Sequence, residues 1–375
     1  LNLLSSINAG RGGMWLLDPN DYTITSTQAT SISNSLKTSN VTISVTSASC
    51  SITGGTVCPS GSSGSGNLNL GSSTSRIAIT KSSGTVTTLT LNAYGNIYLY
   101  GTIISAVGSP LNVEIYAGVN HSNYASPTIY LDTSSSSAAI STFGGYIKFG
   151  GTGAASGTNA TPAASVVLSS DYSISSGAGN ITFSSQLTGN QNLTISSAVN
   201  ITFSGNLDLS GATNSSGDGP IGGNLILTAT GNISTQGINT SGGDSTYLKS
   251  RDGYTTHNGG DAGTITISAA ALSVNGIIKS GGGSSSSGGN AGSDGNISIT
   301  NTANSSISGV ITAGSLTKSG SGVLTLSAVE VLSGSTTISA GTLQLGIANA
   351  LTNQILFTNS TATLDMNGYS ETAGS

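Results

Sequence analysis

The sequence predicts an all-β protein, a right-handed parallel β-helix in the form of an elongated rod. One strand unit is written three times, as GGNLILT at Gly222, AGTITIS at Ala262 and DGNISIT at Asp294, with starts 40 and 32 residues apart. Apolar residues recur in i, i+2 pairs, the pattern of a strand with one buried face. Charged residues make up only 6% of the chain, which contains 54 glycines. Repeated strands joined by loops of variable length are typical of a solenoid.

Each copy of the unit is followed by a second, weaker strand and then by a Gly/Ser tract. We predict these second strands at 232–235, 272–274 and 306–311. Gly/Ser tracts, such as those at 151–160 and 281–295, are interpreted either as loops that protrude from single coils or as hinges. The chain is therefore expected to be one continuous β-helix over residues 1–375, made of a less regular part (1–66), regular coils (67–313) and a terminal β-strand repeat (314–375).

The N-terminal part contains the single tryptophan and both cysteines. We predict a strand at Trp15, with its side chain in the core, followed by a turn at Asp18–Asp21. Cys50 and Cys58 are separated by SITGGTV, a spacing that fits a local disulfide in an oxidising compartment, with two free thiols as the alternative.

The regular coils are expected to bury one aliphatic or aromatic pair per strand. Two ITF segments, at 181–183 and 201–203, lie 20 residues apart. This spacing predicts a coil of about 20 residues and on the order of 18 coils in the chain. Helical signals are nearly absent, and the best candidate is one short turn at Ala269–Leu272. The predicted core pairs are Leu68/Leu70, Ile77/Ile79, Leu89/Leu91, Ile97/Leu99, Val113/Ile115, Ile129/Leu131, Ile147/Phe149, Ile181/Phe183, Ile201/Phe203, Leu225/Leu227, Ile265/Ile267 and Ile297/Ile299.

Charge and hydropathy argue against several classes of partner. The net charge is -5 and the nine Lys and Arg residues are scattered, whereas a nucleic-acid surface needs clustered cations. No run of 18 apolar residues predicts a membrane-spanning helix. The start, LNLLSSINAG, has no charged n-region, and the end, LDMNGYSETAGS, breaks off in a strand-and-turn pattern. We therefore expect an interior segment of a longer exported polypeptide.

Residues 10–150 contain an ordered series of motifs: WLLDPNDYTI, NVTISVT, a Gly/Ser loop, GNLNL and TLTLNAYGNIYLYGTI. This series resembles the region that follows the secretion domain in filamentous-haemagglutinin-like, two-partner-secreted exoproteins. The secretion domain itself, with its Asn/Pro/Gly motifs, is not in this chain. The resemblance implies an extracellular adhesin exported through an outer-membrane pore formed by a partner protein.

A second resemblance covers Gly314–Gly346, with the text GSLTKSGSGVLTLSAVEVLSGSTTISAGTLQLG. It is similar to the passenger-associated β-strand repeat of autotransporters and related large adhesins. The two resemblances together imply localisation outside the bacterial cell or on its surface.

Tyrosines concentrate between residues 94 and 146. Their rings either stack between coils or form a strip that contacts a carbohydrate or a surface. The candidates for such contact are Tyr98, Tyr100, Tyr116 and Tyr130.

Acidic residues lie mainly in Gly-rich turns. Asp244, Asp261 and Asp294 faintly resemble the calcium-binding turns of parallel β-rolls but lack the tandem GGxGxD repeat, so ordinary turns are the preferred interpretation. A polysaccharide-cleaving site would require Asp218, Asp244 and Asp261 to meet between coils. Neither His121 nor His257 has a second ligand at metal spacing.

Asn-x-Ser/Thr triplets are frequent in the strands. We expect asparagines such as Asn180, Asn192, Asn200, Asn232 and Asn296 to stack as ladders at turns.

The sequence thus predicts a structural, adhesive stalk with no enzymatic activity and no cofactor. Its expected partners are host, matrix or neighbouring-cell surfaces, possibly through glycans. The alternatives are a self-assembling extracellular filament or sheath and a polysaccharide-degrading enzyme that uses Asp218 or Asp261.

Overall fold

The computed structural model describes residues 15–17, 21–45, 65–119, 127–132, 138–150, 165–246, 256–285 and 288–372. They belong to two compact units, Leu1–Ser185 (unit 1) and Gln186–Ser375 (unit 2). In each unit the chain passes repeatedly through three sheets, here called A, B and C, whose neighbouring strands are parallel. This arrangement confirms the predicted parallel β-helix. Cys50, Cys58 and the Trp15 side chain lie outside the described part, so the disulfide stays a prediction.

Unit 1 contains fifteen described strands and one helix. They are β1 (Trp15–Leu17), β2 (Tyr22–Ile24), α1 (Ser26–Ser35), β3 (Val41–Val45), β4 (Leu68–Leu70), β5 (Ala78–Lys81), β6 (Thr87–Ala93), β7 (Ile97–Leu99), β8 (Thr102–Ser105), β9 (Leu111–Ala117), β10 (Thr128–Leu131), β11 (Ala138–Ser141), β12 (Ile147–Phe149), β13 (Ser165–Leu168), β14 (Tyr172–Ser175) and β15 (Ile181–Phe183). Sheet A has the order β1-β3-β6-β9-β12-β15, sheet B β2-β4-β7-β10-β13 and sheet C β5-β8-β11-β14.

Unit 2 contains twenty described strands. They are β16 (Leu187–Thr188), β17 (Leu193–Ala198), β18 (Ile201–Phe203), β19 (Leu207–Asp208), β20 (Leu225–Ala229), β21 (Asn232–Thr235), β22 (Ile238–Asn239), β23 (Ile265–Ala269), β24 (Ala271–Val274), β25 (Ile278–Lys279), β26 (Asn296–Asn301), β27 (Ser305–Ile307), β28 (Ile311–Ala313), β29 (Ser315–Ser319), β30 (Val323–Leu326), β31 (Val331–Leu332), β32 (Thr336–Ile338), β33 (Thr342–Leu345), β34 (Ile355–Phe357) and β35 (Thr363–Asp365). Sheet A has the order β18-β21-β24-β27-β30-β33-β35, sheet B β16-β19-β22-β25-β28-β31 and sheet C β17-β20-β23-β26-β29-β32-β34.

The interior consists of columns of apolar side chains from paired strands. Leu225, Ile265 and Ile297 are register partners in sheet C, and each is fully buried. Stacked rings occur as well, because Phe149 and Phe183 lie with centroids 4.6 Å apart. Every residue of the predicted core pairs is buried, so the i, i+2 pattern identified the inward face correctly.

The predicted helical turn at Ala269–Leu272 is wrong, because Ala269 ends β23 and Ala271 begins β24. The helix is α1, which begins at a capping box formed by Thr25 and Gln28. It follows β2 and packs against β5, the first strand of sheet C in unit 1. The Ser33 hydroxyl accepts the Thr80 N–H at 2.9 Å, so the helix satisfies part of the exposed edge of β5.

Coil length varies more than predicted. Hydrogen bonds between equivalent turns join residues 40 apart at Thr264 and Asn224, and 19 apart at Ser315 and Asn296. Sheet A has six described strands in unit 1 and seven in unit 2. The prediction of about 18 coils is therefore wrong, because a coil of about 20 residues is only the minimum path and inserted loops lengthen most coils.

The prediction that the third second strand runs as one segment over 306–311 is also wrong. Ser305–Ile307 forms β27 in sheet A, and Ile311–Ala313 forms β28 in sheet B.

Asparagine ladders connect successive turns, as predicted. In unit 2 the Asn192 side-chain oxygen accepts the Asn224 N–H at 2.8 Å, and the Asn224 oxygen accepts the Thr264 N–H at 2.8 Å. Asn67 and Asn96 do the same in unit 1. Each amide satisfies a backbone donor of the next coil at a point where the sheet ladder is interrupted.

Two buried lysines satisfy the turns that lead from sheet C to sheet A. The Lys318 ammonium donates to the carbonyls of Ser319, Gly320 and Ala340, at 2.8, 2.9 and 3.1 Å. Lys81 donates to the carbonyls of Thr85 and Pro110. Burial lowers the pKa of Lys318 to about 8. Both ammonium groups replace hydrogen bonds that these turns cannot form within the sheets.

A buried carboxyl, that of Glu330, lies between β30 and β31. Its Oε2 accepts the Ile311 N–H, while Oε1 is buried without a hydrogen-bond partner. Burial raises the pKa of Glu330 to about 8.

No helix in the described part of the chain is long and apolar enough to cross a bilayer.

Ile265→Asp should lower the free energy of unfolding by at least about 3 kcal/mol, because the change removes a buried aliphatic side chain and places a carboxyl in its site. Thr266→Asp is the matched control, since Thr266 is the neighbouring exposed residue on β23. Chemical denaturation of both variants measures the difference. Equal stability of the two would contradict the inward assignment of Ile265.

Glu330→Gln should flatten the pH dependence of stability. The folded carboxyl has its pKa raised from 4.5 to about 8. The stability that it contributes is therefore complete below about pH 4.5 and is lost as the pH rises to about 8. Urea midpoints of the wild type should fall more across this window than those of the variant. Parallel curves would show that Glu330 titrates as an ordinary carboxyl.

Candidate functional site

Three of the four predicted contact tyrosines lie together on the outer face of sheet B in unit 1. Tyr98 and Tyr130 are register partners with ring centroids 4.7 Å apart and planes 5° apart. Tyr100 lies 5.9 Å from Tyr98 in a parallel orientation. Rings stacked at the strand spacing cover each other's faces and leave edges and hydroxyls outward. This geometry favours packing between coils, and the contact role stays a prediction.

The fourth tyrosine, Tyr116, lies instead in sheet A and is buried. It belongs to a polar cluster around Glu114, whose Oε1 accepts the Tyr146 hydroxyl at 2.7 Å. Burial and then this hydrogen bond raise the pKa of Tyr146 to about 12. The Lys148 ammonium lies 4.6 Å from the Tyr146 ring centroid. The cluster fixes these side chains on the outer face and gives Tyr116 a structural role.

The candidate acidic residues each bind groups contributed by other coils or turns. Asp244 Oδ1 accepts the N–H and hydroxyl of Ser284, at 2.7 and 2.8 Å. Asp261 Oδ1 accepts the Ser293 N–H at 2.7 Å. Asp294 uses Oδ1 for the Gly282 N–H and Oδ2 for the Ser333 hydroxyl. Within the described ranges no group of three or more His, Cys, Asp or Glu residues could hold a metal ion. Such bonds are those of turn-capping aspartates, and the calcium candidates remain untested.

Asp218, the other candidate acid, pairs with His257. The distance between Asp218 Oδ1 and His257 Nδ1 is 3.2 Å, and the same oxygen accepts the Asn258 N–H at 2.8 Å. These two contacts lower the pKa of Asp218. The sequence gave no sign of the pair, because its members lie 39 residues apart on successive loops. His121 lies outside the described residues.

Gly/Ser tracts of unit 2 form an ordered element that we call the glycine block, made of residues 210–222, 241–245, 257–263, 281–285 and 288–295. Its outgoing arms align through parallel bridges from Asn214 to Ser245 and from Ser245 to Ser285. Its returning arms align through bonds such as that from the Gly259 N–H to the Asn290 carbonyl, at 2.9 Å. The tracts are therefore stacked loops, as one of the two sequence interpretations held.

Glycine N–H groups join the outgoing and returning arms. Gly243 donates to the Pro220 carbonyl, Gly260 to Gly243, and Gly283 to Gly260, at 2.8–2.9 Å. A Cβ on Gly283 would lie 2.0 Å from the Gly243 carbonyl oxygen, and one on Gly260 2.0 Å from that of Pro220. Glycine is required here because the backbones approach each other directly.

A groove of about 450 Å³ crosses the outer face of sheet B in unit 2. Asp208, Asn239 and Lys279 line it, and they are register partners on β19, β22 and β25. The inward residues of these strands, Leu207 and Ile278, are fully buried. The glycine block begins two to three residues after each strand, so ordered loops lie beside the groove.

Sequence reasoning missed this groove because each of its strands has only two residues. The available signal was the recurrence of an aliphatic residue and a polar residue before each Gly/Ser tract: LD, IN and IK.

Gly283→Ala should open the glycine block locally and lower stability by about 2 kcal/mol, because a Cβ meets backbone that cannot move aside. Gly281→Ala is the matched control in the same tract, since the nearest atom to its Cβ would lie at 3.7 Å. Hydrogen exchange of peptides covering 281–295 should accelerate only in the first variant. Equal exchange in both would contradict the close packing.

Residues 316–345 match the family described as passenger-associated-transport-repeat. The match runs from β29 to β33 and so covers one full coil plus the sheet C and sheet A strands of the next. It lies within Gly314–Gly346, and it confirms the resemblance of that segment to an autotransporter-like passenger repeat. The likeness of residues 10–150 to filamentous-haemagglutinin-like exoproteins stays a prediction. No characterised protein and no solved structure matched the chain significantly.

Proposed function

We propose that this chain is part of the passenger of an autotransporter-type protein and acts as an adhesive stalk outside the bacterial cell or on its surface. The observation that carries the proposal is the passenger-repeat match at 316–345, which lies on strands of a parallel β-helix unit. A β-helix suits this role because every coil adds length while reusing the same backbone bonds.

The outer faces supply contacts through hydroxyls more than through charge. On sheet C of unit 2, register partners Thr266, Ser298 and Thr317 point outward between buried residues. Single hydrogen bonds to such hydroxyls are weak, but a regular array presented many times gives useful avidity. Host, matrix or neighbouring-cell surfaces, including their glycans, are the proposed partners.

For export we propose a separate outer-membrane pore, as the likeness of residues 10–150 implies. Finding a pore domain on the same polypeptide would contradict this route.

We also propose that the chain has no enzymatic activity, since the candidate acids cap backbone groups of other turns. Turnover of a glycan by the purified chain, lost in Asp218→Asn or Asp261→Asn, would contradict this.

A filament or sheath subunit is the second candidate. Among the described residues, β34 and β35 each pair with a single neighbour. Phe357 on β34 is 53% exposed. An open parallel edge beside apolar side chains can join another copy. Continuous fibres with an axial repeat in electron micrographs would favour assembly, whereas discrete particles favour the stalk.

Beads coated with the chain should attach to host or sister cells, and attachment should persist when salt rises from about 0.1 M to about 1 M, because contacts without ion pairs are weakly screened. The double variant Tyr98→Ala/Tyr130→Ala tests the tyrosine edges and should reduce attachment severalfold. Tyr369→Ala is the control, since Tyr369 is also exposed. Absence of attachment, or its loss at high salt, would contradict the proposal.

A further inference from the structure

We propose that the groove on sheet B of unit 2 binds a neutral oligosaccharide laid across successive coils. The inference rests on the proposed function of surface attachment and supplies a site and a ligand class for it. The groove volume, about 450 Å³, falls within the range of roughly 300–1,000 Å³ found for small-ligand sites.

Polar groups line the groove at regular intervals. Asp208, Asn239 and Lys279 occupy the same outward position on three neighbouring strands, which places them about 4.8 Å apart along the sheet. This interval is comparable to the length of one sugar residue in an extended chain. A carboxylate, an amide and an ammonium in a row offer acceptors and donors to hydroxyls, which both donate and accept.

Local turns hold two of these side chains in place. Asp208 Oδ1 accepts the Ser210 N–H at 3.1 Å and the Ser210 hydroxyl at 2.7 Å. Asn239 Oδ1 accepts the Ser241 N–H at 3.1 Å. The second carboxylate oxygen of Asp208 and the NH₂ group of Asn239 take no part in these turns. A ligand would therefore meet groups that are already oriented, which lowers the entropy cost of binding.

An apolar wall complements the polar row. Ile277 lines the groove and is 57% exposed. Gly237 and Gly276 also line it, and a Cβ on Gly276 would lie 2.5 Å from the Gln236 carbonyl oxygen. Packing thus keeps this stretch free of side chains. A sugar ring has an apolar C–H face and a hydroxyl edge, which is the combination that such a lining fits.

Other extended ligands fit less well. A peptide cannot add as a strand, because β19, β22 and β25 are each paired on both sides. A nucleic acid or an anionic glycan needs clustered cations, and the groove has one lysine opposed by one aspartate. The near cancellation of charge selects an uncharged polyhydroxylated chain.

Binding of the full chain to neutral hexasaccharides of glucose, mannose and galactose, with sulfated and sialylated glycans in parallel, tests the proposal by calorimetry. At least one neutral hexasaccharide should bind. Lys279→Ala should weaken it about tenfold, equivalent to one lost hydrogen bond of about 1.4 kcal/mol. Asn239→Trp should fill the groove and abolish binding. Ser234→Ala, an outward change on β21 of sheet A, should leave affinity unchanged, and circular dichroism checks the fold of each variant.

Three results would overturn the groove assignment: no neutral hexasaccharide binds, only charged glycans bind, or Lys279→Ala and Asn239→Trp bind as well as Ser234→Ala. Should Asn239→Trp misfold, Lys279→Ala decides alone. Cell attachment separates this proposal from the preceding one. Attachment without neutral-sugar binding overturns the groove and leaves the adhesive role. Sugar binding blocked by Asn239→Trp, without attachment to any cell, supports the groove and overturns the adhesive role.

Discussion

Hydrogen bonding between parallel strands of successive coils is the constraint on which both units depend. A strand such as β23 pairs with β20 on one side and β26 on the other, in unbroken register. Register matters because a slip of one residue would turn Ile265 and Ile267 outward and bring Thr266 inside. The same pairing that satisfies the backbone therefore also assembles the apolar columns, and neither is stable without the other.

Corners of the coil are where this scheme leaves backbone groups unpaired, and the buried polar residues gather there. Asparagine ladders take up N–H groups at some turns. Lys81 and Lys318 donate to carbonyls at the turns between sheets C and A. Glu330 accepts the Ile311 N–H between sheets A and B. These charges are costly to bury, so their presence reflects the larger cost of leaving several backbone groups without partners.

Loops between the sheets carry the features that distinguish one coil from another. Because the strands alone define a coil, an insertion of about 20 residues between sheets B and C leaves the register unchanged. In unit 2 three such insertions pack through glycine and stand beside the groove formed by Asp208, Asn239 and Lys279. A repetitive scaffold thereby acquires a local, ordered surface on which the proposed attachment depends.

Sequence alone determined the inward face of almost every strand, because burial repeats with period two and leaves aliphatic residues at fixed intervals. It also located the passenger-type repeat and the asparagine ladders. Helix α1 escaped, since its Ser/Thr-rich text has little helical propensity and is stabilised by packing against β5. The groove, the Asp218–His257 pair and the glycine block were decided only by the tertiary structure. Their members lie 28–40 residues apart, and loop lengths that sequence periodicity does not encode bring them together.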